Sequence, residues 1–254
     1  KLAVEEAAFL NFTSKKTYDY HIDKHDPGLS TALIDSIFAE LLQDLRPLVA
    51  TILNSPKQTK LPLLVGFPVE SQYAFLKTIT THLGFDYKRG RIDVALHPFC
   101  GGNGADTRMT TRFSVNNPLD SLFSSIHETG HGLYQQGLPR EHLGTAPGEA
   151  IGMAVHESQS RLWENQVGRS RSFWEFWEPR YREVFPKQLS SIDSEEFYFA
   201  INTVSLNPIR TNSDEVTYNL HIILRFEIEK RLFQGSLSTA DLPYAWNELS
   251  SKIV

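Results

Sequence analysis

Apolar residues recur at helical spacing along most of the chain. Leu33, Ile34, Ile37, Leu41, Leu42 and Leu45 form one stripe behind an N-cap at Ser30, and Pro47 is expected to end that helix. A second helical stretch runs from Pro68 to Leu83, with proline at its start and Gly84 at its stop. The period then shortens. Positions 91–99 (RIDVALHPF) and 109–115 (MTTRFSV) alternate and are rich in β-branched residues, so they read as two strands joined by a glycine-rich loop, CGGNGAD. After Asn116, Asn117 and Pro118 the helical period returns. Helices are expected over 118–136, stopping at Gly137, and over 147–168, stopping at Gly168. Aromatic-rich SFWEFWEPRYREVF follows at 172–185, then a segment at 194–206 that opens on a capping-box-like Ser194. The longest run, 214–235, is capped by Asp214 and closed by Gly235. These elements predict a mainly α fold with a small sheet beside the 118–136 helix.

Length and charge narrow the picture. The 254 residues suffice for a substantial core. With 30 acidic against 25 basic side chains the net charge is −5, which excludes the global basic field of a nucleic-acid binder. No apolar run approaches the ~20 residues of a membrane helix. The longest, LPLLVGFPV from Leu61, is split by prolines. Cys100 is the single cysteine, so no internal disulfide forms and a reducing, cytoplasmic setting suits the chain. The opening KLAVEEAAFL shows neither an initiator Met nor a signal-peptide pattern, and WNELSSKIV stops inside a helical pattern. The chain is therefore expected to be a piece of a longer protein.

The chemistry gathers in the 118–136 helix. His127-Glu128-Thr129-Gly130-His131 has histidines at i and i+4, on one helical face, so both imidazoles can reach one metal. Glu128 adjoins the first and can act as general base on a metal-activated water. Gly130 costs on the order of 1 kcal/mol of helix stability against alanine, which points to a packing or site role. A catalytic zinc wants a third protein ligand. The next helix offers Glu149, His156, Glu157 and Glu164. Spacing leaves Glu157, Glu149 and His156 open as that ligand, and Arg161, at i+4, is the alternative partner for Glu157.

Several separated motifs then agree. His97-Pro98-Phe99 matches HPF, and Asp106-Thr107-Arg108-Met109-Thr110 matches DxRxT. Residues 127–131 match HExxH, His156-Glu157-Ser158-Gln159 matches HES followed by Gln or Gly, and 209–214 match IRxxAD with Ser213 in place of alanine. In this order they resemble the Taq-type thermostable metallocarboxypeptidases. The motifs lie in 61–254, and residues 1–60 read as a helical lead-in to a single catalytic-core fragment, 1–254. The resemblance implies His127, His131 and Glu157 as metal ligands, Glu128 as base, zinc or cobalt as the metal, and a homodimer. It also implies a GxxQDxHW motif beyond the end of this sequence and further helices before its start.

The expected activity is removal of C-terminal residues from peptides with a free C-terminus. Arginine recognises a terminal carboxylate best, through a bidentate pair. Arg210 is the first candidate, with a salt bridge to Asp214 as its structural alternative. Arg108 is the second, with a pairing to Asp106 as its alternative. Tyr218, His221 and Arg225 form a polar stripe on the 214–235 run, and Tyr218 or His221 is expected to donate to the oxyanion unless the stripe is solvated surface. His97 reads either as a substrate contact or second donor, or as a bonded core histidine. His21, His25, His82 and His142 are expected on the surface. Trp163, Trp174 and Trp177 are expected in the core or at a subunit contact, and Cys100 as an unreactive small side chain. Two rival readings are a metal-binding or interaction fragment without activity of its own, and an HExxH endopeptidase.

Overall fold

A computed structural model describes residues 1–10, 17–55 and 64–253. The first three residues of the apolar stretch at Leu61 lie outside them. In chain order the helices are α1 (Leu2–Phe9), α2 (Thr17–Asp23), α3 (Thr31–Leu53) and α4 (Val69–His82). Strands β1 (Gly90–Val94), β2 (Phe99–Asn103) and β3 (Asp106–Thr111) follow. Then come α5 (Pro118–Gly137), α6 (Met153–Arg161), α7 (Arg171–Val184), α8 (Ser194–Ile201), α9 (Tyr218–Phe233) and α10 (Leu242–Ile253). The fold is mainly α with one small sheet, as the periodicity predicts. The chain divides into two compact units, Lys60–Asn202 and a second made of Lys1–Thr59 with Thr203–Val254. The order of motifs does not mark that division.

In the second unit, α3 opens as expected, with the Ser30 side chain accepting from Leu33 N at 3.3 Å. It does not stop at Pro47. The apolar stripe continues through Val49 and Leu53, and Leu45 and Val49 are buried with Leu220 of α9. That burial outweighs the lost backbone bond. Leu33 and Ile37 are exposed instead of packed. The 214–235 run begins its helix at Tyr218, because the Asp214 carboxylate first folds a turn by accepting from Val216 N, Thr217 N and Thr217 Oγ1. Gly235 closes the run in the left-handed region at φ 73°.

Lys60–Asn202 carries the sheet and a large aromatic core. Trp174, Trp177 and Tyr181 of α7 pack with Phe75 and Ile79 of α4 and with Leu122 and Ile126 of α5. Trp174 and Phe197 meet edge to face at 4.9 Å. The N-cap of α8 is Asp193 rather than Ser194: its carboxylate accepts from Glu196 N, and Glu196 returns the bond to Asp193 N.

Most of the glycine-rich stretch is not loop: residues 100–103 belong to strand β2, and only Gly104 and Ala105 form the turn into β3. β2 pairs antiparallel to β3, which is parallel to β1 on its other side. Gly102, at φ 112°, lies so close to β3 that a Cβ there would meet the Asp106 carbonyl oxygen at 2.0 Å. The glycines permit a tight pairing that their type alone reads as a turn. Asn103 Oδ1 closes the hairpin by accepting from Ala105 N and Asp106 N. The inward face of β3 seats the sheet on α5: Thr111 and Ser124 share a hydroxyl bond at 3.1 Å, and Thr129 Oγ1 reaches Met109 Sδ.

The expected 147–168 helix also changes. Residues 146–148 make one 3-10 turn, and α6 starts only at Met153, after Gly152. Gly148 lies against the backbone of His142, where a Cβ would be 2.2 Å from its carbonyl oxygen. That contact holds the segment out of the helix. From Leu162 to Val167 the helix then widens into a π turn before Gly168.

Candidate metal centre

The centre is built where α5 crosses α6. At Gly130 the two backbones nearly touch: a Cβ there would lie 2.5 Å from Ser160 Cα and 2.6 Å from the Gln159 carbonyl oxygen. The helix-weakening glycine thus buys an approach no other residue permits. The crossing brings His127 and His131 of α5 against Glu157 of α6. Glu157 Oε2 is 3.2 Å from His131 Nε2 and 3.6 Å from His127 Nε2. One donor atom from each of the three lies within 4.8 Å of the others, the single such group among the described residues.

The other ring nitrogens are engaged. His127 Nδ1 donates to Glu164 Oε2 at 2.8 Å. His131 Nδ1 is 2.7 Å from His156 Nδ1, and His156 Nε2 is 3.3 Å from Gln135 Oε1. An amide oxygen only accepts, so His156 carries its proton on Nε2, and His131 donates from Nδ1. Both Nε2 atoms therefore face the same carboxylate oxygen, and with the imidazoles neutral three acceptors converge, so a proton or a metal ion must stand between them. Such a set calls for a cation. Its donors, two imidazoles and a carboxylate, suit a divalent metal.

The electrostatics agree. Burial disfavours protonation of His127, yet the Glu164 hydrogen bond and the carboxylates of Glu164, Glu157 and Glu128 raise its pKa above the ordinary range. Burial likewise opposes charge on Glu157, but the bond to His131 and the charges of His127 and Arg161 hold its carboxyl down at about 2. Burial and the neighbouring His131 lower the pKa of His156, consistent with its neutral, accepting form. Glu128 is 6% exposed, and burial raises its pKa. Burial and the nearby Glu128 push the Cys100 thiol up to about 12, so it is not a nucleophile at neutral pH.

The alternatives left open by spacing are now distinguishable. Glu149 is exposed and outside the group. His156 stands behind His131. Arg161 does pair with Glu157, but through Oε1, while Oε2 faces the imidazoles. Spacing offers Glu164 only as one of the side chains near a third ligand, not as a partner of His127, and assigns no role to Gln135. Each has a signal: Gln135 follows His131 by four residues, and Glu164 follows Glu157 by seven.

The other candidates divide between the units. Arg108 is exposed and grips Asp106 with Nε and Nη2, on the face of β3 opposite the buried Met109 and Thr111. His97 is exposed in the β1–β2 link, so it is not a core histidine; its carbonyl accepts from Thr110 Oγ1. His25, His82 and His142 are exposed, whereas His21 is half-buried and bonded to the Ala3 carbonyl. In the other unit, Arg210 donates to the Tyr218 hydroxyl rather than to Asp214, whose carboxylate accepts from the Ser205, Val216 and Thr217 backbone and from the Thr217 hydroxyl. His221 is buried, not solvated, and its Nε2 donates to the Asn207 carbonyl at 2.8 Å.

Comparison with known proteins agrees with this geometry. The family model described as "Carboxypeptidase Taq (M32) metallopeptidase" matches residues 1–253, which extends the resemblance over the helical lead-in. Thermostable carboxypeptidase 1 of Thermus thermophilus is 46% identical over 233 residues, covering 91% of this chain and 46% of that protein. Carboxypeptidase 1 of Bacillus subtilis is 36% identical over the same shares. The crystal structure of the M32 carboxypeptidase of Deinococcus radiodurans R1 aligns over 99% of this chain and 51% of its own, with a TM-score of 0.94 and 42% identity. The chain thus spans about half the length of the curated relatives it matches. Model match, relatives and fold converge with the paired-helix centre on one conclusion: this chain belongs to the Carboxypeptidase Taq (M32) metallopeptidase family.

Proposed function

We propose that the chain carries the metal centre of a carboxypeptidase that releases C-terminal residues from peptides with a free C-terminus. The observation that carries this reading is the convergence of His127 Nε2, His131 Nε2 and Glu157 Oε2. These three residues would hold one divalent metal, zinc or cobalt, since imidazole and carboxylate donors accept both. When bound, the ion polarises the scissile carbonyl and lowers the pKa of its water to ~7.

The remaining steps belong to the chain. Glu128 takes the water's proton on a buried carboxylate whose raised pKa suits a base, and passes it to the leaving amine. Glu164 and the His156–Gln135 pair keep both imidazoles turned with Nε2 toward the reacting atoms. Arg210 pairs with the terminal carboxylate of the peptide. Tyr218 is better suited than His221 to donate to the oxyanion, because the Nε2 proton of His221 already goes to Asn207. His97 is a peptide contact, and Arg108, tied to Asp106, is the weaker carboxylate holder. A homodimer in a reducing cytosol completes the reading, supported by the family resemblance and by the unreactive single thiol.

One observation favours a second reading: the chain spans about half of its curated relatives' length. It would then hold metal without hydrolysing peptides by itself. The test is release of the terminal amino acid from an N-blocked dipeptide by metal-loaded chain, chelator-stripped chain and Glu128→Gln. Release by the loaded wild type alone supports the carboxypeptidase. Metal uptake without release supports the second reading, and neither uptake nor release contradicts both.

A further inference from the structure

We infer that Arg161 is a positioning residue that holds Glu157 to the metal through one oxygen, and so keeps a coordination position open. The inference rests on the metal reading above.

Arg161 follows Glu157 by one helical turn, and its guanidinium lies between two carboxylates. Nε donates to Glu157 Oε1 at 3.1 Å, and Nη1 donates to Glu164 Oε2 at 3.1 Å. Glu164 Oε2 is also the atom that takes the Nδ1 proton of His127. One rigid fork therefore joins the carboxylate facing the imidazoles to the carboxylate standing behind one of them.

This makes the two oxygens of Glu157 unlike. Oε1 faces a group that stays protonated at any working pH. Oε2 faces both imidazole Nε2 atoms and lies 3.1 Å from the Ser160 hydroxyl, which makes its shorter bond, 2.7 Å, to the Glu157 carbonyl. A glutamate whose oxygens are both unengaged can turn about its terminal bond and bind a cation with the pair. With Oε1 held by Arg161, Oε2 alone is offered. Two imidazoles and one carboxylate oxygen make three protein ligands, the number that leaves a catalytic metal one open position. A two-oxygen glutamate would occupy that position itself.

The charge count points the same way. Glu157 and Glu164 stand close enough to Glu128 to help raise its pKa. Arg161, and Arg169 with Nη2 at 3.7 Å from Glu164 Oε1, offset that repulsion. Of the two, Arg161 touches the carboxylate that faces the imidazoles.

Cobalt(II) is the probe, because its visible bands weaken and shift as coordination rises above four. It is titrated into the metal-stripped full chain against a competing chelator, for wild type, Arg161→Gln and Arg161→Lys, with helix content followed by circular dichroism. Wild type is expected to show the intense bands of four-coordinate cobalt. Arg161→Gln is expected to show the weaker bands of higher coordination and to bind cobalt about 10–100-fold more weakly. Arg161→Lys keeps the charge but not the two-point fork, so the same band shift is expected with a smaller loss of affinity. If Arg161→Gln does not fold, Arg161→Lys carries the test alone. A folded variant with the wild-type spectrum overturns the inference. A wild type that binds cobalt in a high-coordination spectrum overturns the inference alone. A wild type that takes up no cobalt overturns the metal reading, and the inference with it.

Discussion

The two histidine-bearing helices, α5 and α9, hold their imidazoles in opposite electrostatic settings. Around His127 and His131 on α5 stand Glu128, Glu157 and Glu164, and the carboxylates raise the pKa of His127. Around His221 on α9 burial lowers the pKa, and Arg225 and Arg210 lower it further against the opposing pull of the Asn207 carbonyl and the Asp214 carboxylate. Burial and the nearby Arg210 also lower the pKa of Arg225 itself. The first region suits the cation proposed for it, and the second holds two guanidinium groups. A histidine is thus read by the charges around it: carboxylates surround the proposed metal ligands on α5, and guanidinium groups stand beside the ring on α9.

The comparison can be broken most sharply at the base. Glu128→Gln leaves the three ligand side chains in place, so metal content is expected to stay at the wild-type level while dipeptide hydrolysis falls about 10²–10⁴-fold. Parallel loss of both would show that Glu128 only holds the centre together.

Gly130→Ala comes next. The added methyl overlaps the Ser160 backbone, and overpacking of this kind costs about 1–3 kcal/mol. The thermal midpoint is expected to fall and metal uptake to weaken, because α6 must retreat and carry Glu157 away. An unchanged midpoint with full metal binding would refute the crossing as the device that sets the site.

Glu164→Gln keeps the shape of the partner behind His127 but not its charge. Metal affinity, measured against a competing chelator, is expected to fall about 10–100-fold.

On the cationic side, Arg210→Met is expected to raise KM for the N-blocked dipeptide roughly 10–100-fold, the value of a charge-assisted pair, with metal content unchanged. An equal fall in bound metal would erase the distinction between the regions. The smallest effect is expected at Arg108→Ala, whose exposed pair with Asp106 is screened by water. Its metal content and thermal midpoint should match wild type.

These sites differ in how far the sequence discloses them. The i, i+4 histidines of α5 and the glycine between them are legible because both follow from helical geometry. Glu157 becomes distinct only through the family motif, since spacing alone leaves Glu149 and His156 beside it. The support behind the imidazoles is less legible. Glu164 sits in the π turn after Leu162, which the apolar period does not announce. His156 reads as a ligand until its Nδ1 is seen against His131. The fold misses share a cause. Pro47 and the glycines of β2 are residues whose local preference is overruled by packing: the buried stripe of α3 carries the helix past proline, and close strand pairing requires glycine at Gly102.

The most direct test of the account is metal content by elemental analysis after dialysis, on wild type and Glu157→Gln side by side. The account predicts one divalent ion per wild-type chain and its loss from the variant. Metal retained by Glu157→Gln, or no metal in the wild type, would contradict it.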